Sequence, residues 1–272
     1  MDGWQAELDL AFDRRDDGQT VLTRRRHNGP LRVLKPFYPE AATVCHLYIL
    51  HPPGGIVGGD ILNINVELDA GAHALLTTPA ANKFYYCDER YASQSQNLVV
   101  VGDSRLEWLP QETIVFNGAR AETGLQIDLQ GNAQVVCWDI FCFGRPAAGE
   151  LFRQGRFGMT QLISRDGRPV WRERSVIDGG AVMTAPWGLQ GKSVSGTMLA
   201  TGCTPHHLEL LRRHEKLADE DGFSVALIDE ILAVRMLADR VDTVRQVFFT
   251  AWSILRPALL KRDACHPRIW AT

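Results

Sequence analysis

Short runs in which polar and apolar residues alternate, separated by closely spaced turns, dominate about the first 203 residues of this sequence. A period of two places the apolar residues on one face of a β-strand. Closely spaced turns, such as those at Gly131-Asn132 and Asp166-Gly167, favour a mainly β fold, either a sandwich or a coiled stack of many strands. The expected strands are 4–12, 44–50, 62–68, 72–78, 96–101, 105–109, 112–116, 123–129, 133–141, 157–164 and 169–177.

The pattern changes near residue 204, where helical spacing begins. Thr204 can cap a helix that has Pro205 at its first position. Further on, apolar residues spaced three or four apart predict a longer helix, which Pro257 is expected to kink or end. We expect one domain over 1–272, comprising a β body at about 4–203, a helix at about 205–217, a strand pair at about 223–237 and a helix at about 240–256.

Composition limits the class of protein. The chain has 272 residues, a formal net charge of −3 and 45% hydrophobic residues. This length supports a large core, and the near-neutral net charge gives no indication of nucleic-acid binding. We find no signal-peptide core and no membrane-spanning stretch. The six cysteines form no Cys-x-x-Cys pair, so we expect reduced thiols and a cytoplasmic location.

The stretch Leu50–Asp60 reads Leu-His-Pro-Pro-Gly-Gly-Ile-Val-Gly-Gly-Asp between two expected strands. It lacks the Lys of a phosphate-binding loop, and a strand follows it where a dinucleotide site needs a helix. Prolines restrict the backbone, whereas glycines permit positive φ and close approach. We interpret it as a rigid structural loop formed by His51, Pro52, Pro53, Gly54, Gly55, Gly58 and Gly59.

His51 admits two interpretations. Its imidazole could bind nickel or copper. Alternatively, it could hydrogen-bond a loop carbonyl that the prolines and glycines leave unpaired, which is the interpretation we favour.

Four acids, Asp60, Glu107, Asp139 and Glu173, lie in or beside otherwise apolar strands. A carboxylate in such a place is costly unless it is paired, hydrogen-bonded or hydrated. Four separate surface or salt-bridged groups would satisfy this requirement. So would a hydrated polar channel, whose oxygen ligands would hold a divalent ion only loosely.

Five ordered motifs together resemble the urease accessory protein UreD family, called UreH in some organisms. They are Leu50–Asp60, Thr77–Tyr85, Leu106–Glu112, Gly144–Pro146 and Pro267–Trp270, and they span essentially the whole chain. The resemblance implies a β-rich superhelical body with two helices. It also implies a scaffold that docks on the urease apoprotein and recruits UreF, which recruits the GTPase UreG, the source of nickel.

The resemblance further implies a water-filled passage that carries nickel in transit, with no permanently bound cofactor. Asp60 and Asp139 correspond to lining acids, and Glu173 does so through a weaker local motif. Asn82 stands where relatives often have Ser or Thr. Lys83 and Glu107 are further polar groups of the passage or its loop.

The resemblance predicts a UreF-facing surface on the long helix. That helix also carries three aromatic residues, one more than a single core-facing stripe needs. The residues of this surface would be Phe248, Phe249 and Trp252, because aromatic anchors commonly dominate interfaces. Two rival functions remain at this point. One is a purely structural adaptor without a metal passage, and the other is a metal-dependent hydrolase that uses His51 and Asp60.

Overall fold

The computed structural model describes residues 3–271, and its strands form two facing sheets. The first sheet has seven strands, in the order β15-β14-β11-β8-β5-β1-β2. The main path of the second runs β17-β18-β16-β12-β9-β6-β4-β3, with three further short strands beside it. The strands are β1 Gln5–Arg14, β2 Thr20–Asn28, β3 Arg32–Val33, β4 Cys45–Leu50, β5 Ile61–Leu68, β6 His73–Thr77, β7 Asn82–Phe84, β8 Ala92–Val100, β9 Arg105–Trp108, β10 Thr113–Val115, β11 Arg120–Leu129, β12 Gln134–Arg145, β13 Glu150–Leu151, β14 Arg156–Arg165, β15 Arg168–Asp178, β16 Val194–Ala200, β17 Phe223–Ile228 and β18 Ile231–Ala238.

Consecutive long strands from β4 to β14 alternate between the two sheets. Within each sheet, β1, β5, β8, β11 and β14 are parallel neighbours, as are β4, β6, β9 and β12. Each pair of strands is therefore one coil of a stack, and antiparallel strands close both ends of the first sheet. The mainly β stack expected from the alternation is confirmed.

Two cores follow from this arrangement. One lies between the sheets and contains the inward residues of β5, namely Leu62, Ile64, Val66 and Leu68. The other lies between the second sheet and the long helix, around Trp138, Phe248 and Trp252. Strand β12 contributes to both cores, because alternate side chains point to opposite faces of its sheet.

The helical part differs from the prediction of two helices. The described residues contain four α-helices: α1 Ala181–Thr184, α2 Pro205–Arg212, α3 Glu215–Ala218 and α4 Val241–Leu260. The helix expected at 205–217 is broken after α2, while Thr204 does cap α2 as expected. Two short 3-10 helices, Pro146–Ala148 and Arg268–Ala271, complete the fold.

Helix α4 does not end near Arg256, so the expected end at Pro257 is wrong, while the expected kink there stays a prediction. The helix continues to Leu260 and ends at Lys261, whose φ is +57°. Leu259 and Leu260 are buried in the second core. Burial of these side chains holds the last turn in place although Pro257 has no N–H to donate.

Candidate functional site

Asp139 lies in the middle of β12 and shares the inward face of that strand with Cys137 and Phe141. Its carboxyl group therefore points into the space between the two sheets. Gln161, from β14 of the opposite sheet, donates a 2.8 Å hydrogen bond from Nε2 to Asp139 Oδ2. Burial raises the pKa of Asp139 to about 6, and the hydrogen bond from Gln161 only partly opposes that rise.

Strand register extends this polar position across both sheets. In the second sheet, Asp139, Thr197 and Arg235 are direct neighbours on β12, β16 and β18. In the first sheet, Gln161 is paired with Glu173 on β15. Arg235 then joins the sheets, because its Nη1 and Nη2 donate to the two Glu173 carboxylate oxygens at 2.8 and 2.9 Å. A band of polar side chains therefore runs from Asp139, between the sheets, to the partly exposed pair of Glu173 and Arg235.

Two cavities meet at Asp139. The larger has a volume of about 630 Å³, and the partly exposed Glu173 and Arg235 lie along it. The smaller has a volume of about 130 Å³ and reaches the glycine-rich loop. Both cavities are bordered by Thr123, Asp139 and Phe141. Asp139 thus keeps some accessible surface although it lies deep in the fold.

The smaller cavity holds several of the polar residues that the sequence singled out. Asn82 lies there and donates from Nδ2 to Gln94 Oε1 at 3.0 Å. Lys83 follows, with its Nζ 3.4 Å from the carbonyl oxygen of Ala81. His51 and Gln96 also line this space. The structure therefore brings Asn82, Lys83 and His51 together at one end and Glu173 at the other, with Asp139 between them.

The favoured interpretation of His51 as a hydrogen-bonding loop residue is wrong. Both imidazole nitrogens are buried, and neither has a hydrogen-bond partner among the described residues. No loop carbonyl group among residues 3–271 accepts a hydrogen bond from the His51 ring. Burial lowers the pKa of His51, with partial opposition from the charge of Asp60, so the ring is held neutral.

Asp60 organises the loop from within. It is 1% exposed. The backbone N–H of Trp4 donates to its Oδ1 at 2.7 Å, and that of Val57 donates to its Oδ2 at 2.9 Å. Asp60 borders neither of the two cavities described above. Its assignment as a lining acid stays a prediction, and its position favours a structural role.

The glycine loop is tight, as predicted, but its glycines act in two different ways. Gly54 and Gly59 have φ values of +80° and +95°, which favour glycine. Gly55 and Gly58 do not have positive φ; a Cβ atom there would lie 2.2 Å from the Tyr85 ring and 2.7 Å from Cys87 Cβ, respectively. Pro52 and Pro53 lie exposed in the turn that Gly54 N–H closes onto His51 O at 2.9 Å.

Gly55→Ala is expected to lower the free energy of unfolding by about 1–3 kcal/mol, because the added methyl group would overpack against Tyr85. Gly124→Ala is the matched control, since a Cβ there meets nothing within 4 Å and needs no positive φ. Denaturant melts of both variants make the comparison. Equal midpoints would show that Tyr85 moves aside at little cost.

Glu107 belongs to a buried ion cluster outside the two cavities. Its carboxylate accepts hydrogen bonds from His73 Nε2 at 2.8 Å, Trp252 Nε1 at 2.7 Å and Arg256 Nε at 2.9 Å. Arg256 also binds Glu40, through Nη2 to Oε1 at 2.7 Å. Burial alone would raise the pKa of Glu107, but His73 and Arg256 lower it to about 2. The arrangement assigns Glu107 to the packing of α4 on β9.

The aromatic residues predicted to face UreF lie mainly in the core. Phe248 and Trp252 are fully buried. Phe249 is half-buried and stacks on Trp270, with ring centroids 4.5 Å apart. The surplus aromatic is thus accounted for by packing of the C-terminal segment, and a role for these three residues in partner binding stays a prediction.

Gln161, Arg235 and Arg256 are the important polar residues that sequence reasoning missed. Gln161 could have been found by strand parity, because it shares its inward face on β14 with Phe157 and Ile163. Within residues 3–271 no group of three or more His, Cys, Asp or Glu side chains is arranged to hold a metal ion. The same residues include no helix long and apolar enough to cross a membrane. All six cysteines are free thiols.

Comparison with known proteins identifies the family of this chain. The family model described as "UreD urease accessory protein" matches residues 5–271. A protein of Dechloromonas aromatica is 44% identical over 274 residues, covering 99% of this chain and 95% of the relative. A protein of Pseudomonas fluorescens is 47% identical over 270 residues, with coverage of 99% and 95%. Both relatives are named urease accessory protein UreD. The chain therefore belongs to the UreD family of urease accessory proteins, and it is an accessory protein and not an enzyme.

Proposed function

We propose that this chain carries nickel ions through its β body during urease maturation, in the cytoplasm. It docks on the urease apoprotein and recruits UreF and, through UreF, the GTPase UreG. The observation that carries the transport proposal is the position of Asp139, an acid without a cationic partner among residues 3–271, where two cavities meet.

A hydrated divalent cation suits this position. Charge on a buried carboxylate is costly, and a cation beside it lowers that cost. Oxygen ligands alone bind nickel weakly, which favours release over storage. At the outer end, Arg235 already neutralises Glu173, so an entering cation must displace the guanidinium group. Asp139, in contrast, has no cationic partner among residues 3–271, so a cation can interact with its carboxylate without displacing another charge.

The partner assignment has separate support. Membership in a family of urease accessory proteins ties the chain to urease maturation. Transport between a nickel source and an apoprotein requires contact with both, which UreG and the urease apoprotein supply in this proposal. UreF is the link that holds the source against this chain.

Asp139→Asn and Glu173→Gln test the transport proposal. Each is expected to lower the nickel content and activity of urease severalfold after assembly with the complete accessory complex. Glu122→Gln is the matched control, because Glu122 lies on β11 beside Thr123 but points outward and is exposed. Nickel is measured by elemental analysis, and complex formation by co-purification of UreF and urease.

Each outcome has a distinct meaning. Urease loaded normally by both cavity variants would overturn the passage. Lost loading together with lost co-purification would favour the purely structural adaptor. Lost loading with intact assembly, and normal loading with Glu122→Gln, supports transport along the cavities.

A further inference from the structure

The imidazole of His51 is the least explained polar group in the interior. Both of its nitrogens are buried without a partner among the described residues. Native proteins seldom leave a buried polar atom unpaired, and each such atom calls for an unseen water or ion. His51 carries two such atoms, and its side chain lines the smaller cavity.

That cavity is chemically suited to a hydrated cation. Besides His51, its wall contains the carboxylate of Asp139 and the side-chain amides of Asn82, Gln94 and Gln96. A volume of about 130 Å³ accommodates a small cluster of waters. Amide oxygens and the carboxylate can accept hydrogen bonds from the waters around a metal ion, while the imidazole can replace one of those waters.

The backbone holds His51 at the cavity. Its carbonyl group accepts the Gly54 N–H at 2.9 Å, and Pro52 follows it. Pro52 restricts the backbone of His51 to extended geometry. Because burial also keeps the ring neutral, a nitrogen lone pair is free to bind a metal without first losing a proton.

We propose that His51 is a nitrogen donor to a transition-metal ion that pauses in the smaller cavity. One water leaves the aqua ion, and one metal–nitrogen bond forms in its place. Imidazole favours nickel, copper, zinc and cobalt, whereas magnesium and calcium favour oxygen ligands. His51 therefore makes the passage selective for transition metals over the more abundant hard cations. This inference rests on the proposed transport function and names its selective site.

The same cavity explains why the ion would leave again. Lys83 lies in its wall and carries a positive charge that repels a cation. Residues 3–271 offer no cluster of three or more strong donor side chains. The ion consequently keeps most of its waters, and one nitrogen bond gives selectivity without tight binding.

The test measures binding directly, on the full chain in complex with UreF. Substoichiometric Ni²⁺ is expected to broaden the His51 ring signals in an NMR spectrum, because a paramagnetic ion bound at the ring relaxes them. Mg²⁺ in excess should leave those signals sharp and should not displace Ni²⁺. His51→Gln identifies the signals and is expected to weaken Ni²⁺ binding severalfold in calorimetric titration. His27→Gln, an exposed position on β2, is the control.

Two results would overturn the inference. One is Ni²⁺ affinity in His51→Gln equal to that in His27→Gln. The other is sharp His51 signals in wild-type protein at Ni²⁺ concentrations that load the complex, a measurement that needs no variant to fold. Failure here is distinguishable from failure of transport. Normal Ni²⁺ binding at His51, together with full urease loading by both Asp139→Asn and Glu173→Gln, would overturn the passage and still support the metal site.

Discussion

Arg256→Met is expected to lower the free energy of unfolding by about 3–5 kcal/mol, because it strips the counter-ion from the buried Glu107 and the partly buried Glu40. The Arg256 guanidinium is fully buried and binds both Glu107 and Glu40. Methionine matches part of its length but supplies no charge. Glu107, which is itself 0% exposed, would then keep its hydrogen bonds from His73 and Trp252 but lose its cation.

Arg156→Met is the matched control. Arg156 pairs with Asp178 through two short contacts, at 2.7 and 2.9 Å, but both side chains are about half exposed. Exposed pairs contribute little, so this variant should melt almost as the wild type does. Chemical denaturation of the two variants provides the comparison. A loss for Arg256→Met no larger than that for Arg156→Met would show that Glu40 and Glu107 find other compensation.

The pH dependence of this cluster has a definite sign. Because the folded-state pKa of Glu107 is about 2, below its ordinary value of 4.5, the folded protein favours the charged form. The contribution of Glu107 to stability is then fully present above the ordinary pKa. It is lost as the pH falls through the ordinary value towards about 2.

The strands were predictable because each carries its own alternation within a few residues. The hairpin at Asp166-Gly167 is an example: both residues have positive φ, as a tight two-residue turn between β14 and β15 requires. The ion cluster was not predictable. Glu107 and Arg256 are 149 residues apart, and only the packing of α4 on the second sheet brings them together. An acid in a short apolar strand gives no indication of its partner.

The candidate site was predictable only in part, for a related reason. Asp139 stands out because it interrupts a long apolar strand. Arg235 does not, because a charged residue on an edge hairpin usually points to solvent. Arg235 faces the other sheet because β18 pairs with β16, which places Arg235, Thr197 and Asp139 in register. Strand order, which local sequence does not encode, therefore completes the polar band.

Asp139→Asn is expected to stabilise the protein near neutral pH while it impairs nickel delivery. Burial raises the folded-state pKa of Asp139 to about 6, above the ordinary value of 3.8. The folded state therefore holds its proton more tightly than the unfolded state, and wild-type stability falls as the pH rises from about 4 to about 6. Asparagine has no proton to lose and still accepts the hydrogen bond from Gln161.

The expected gain at about pH 8 is about 1–3 kcal/mol, with the lower end favoured because part of the carboxyl group faces a cavity that has room for water. The gain should disappear at about pH 4, where the wild-type carboxyl group is also neutral. Denaturant melts at the two pH values measure it, with Glu122→Gln as the exposed control. Lower stability of Asp139→Asn at the higher pH would mean that the carboxylate is already compensated in the folded chain. A gain in stability together with lost urease loading would instead show that Asp139 destabilises the fold and is needed for nickel transport.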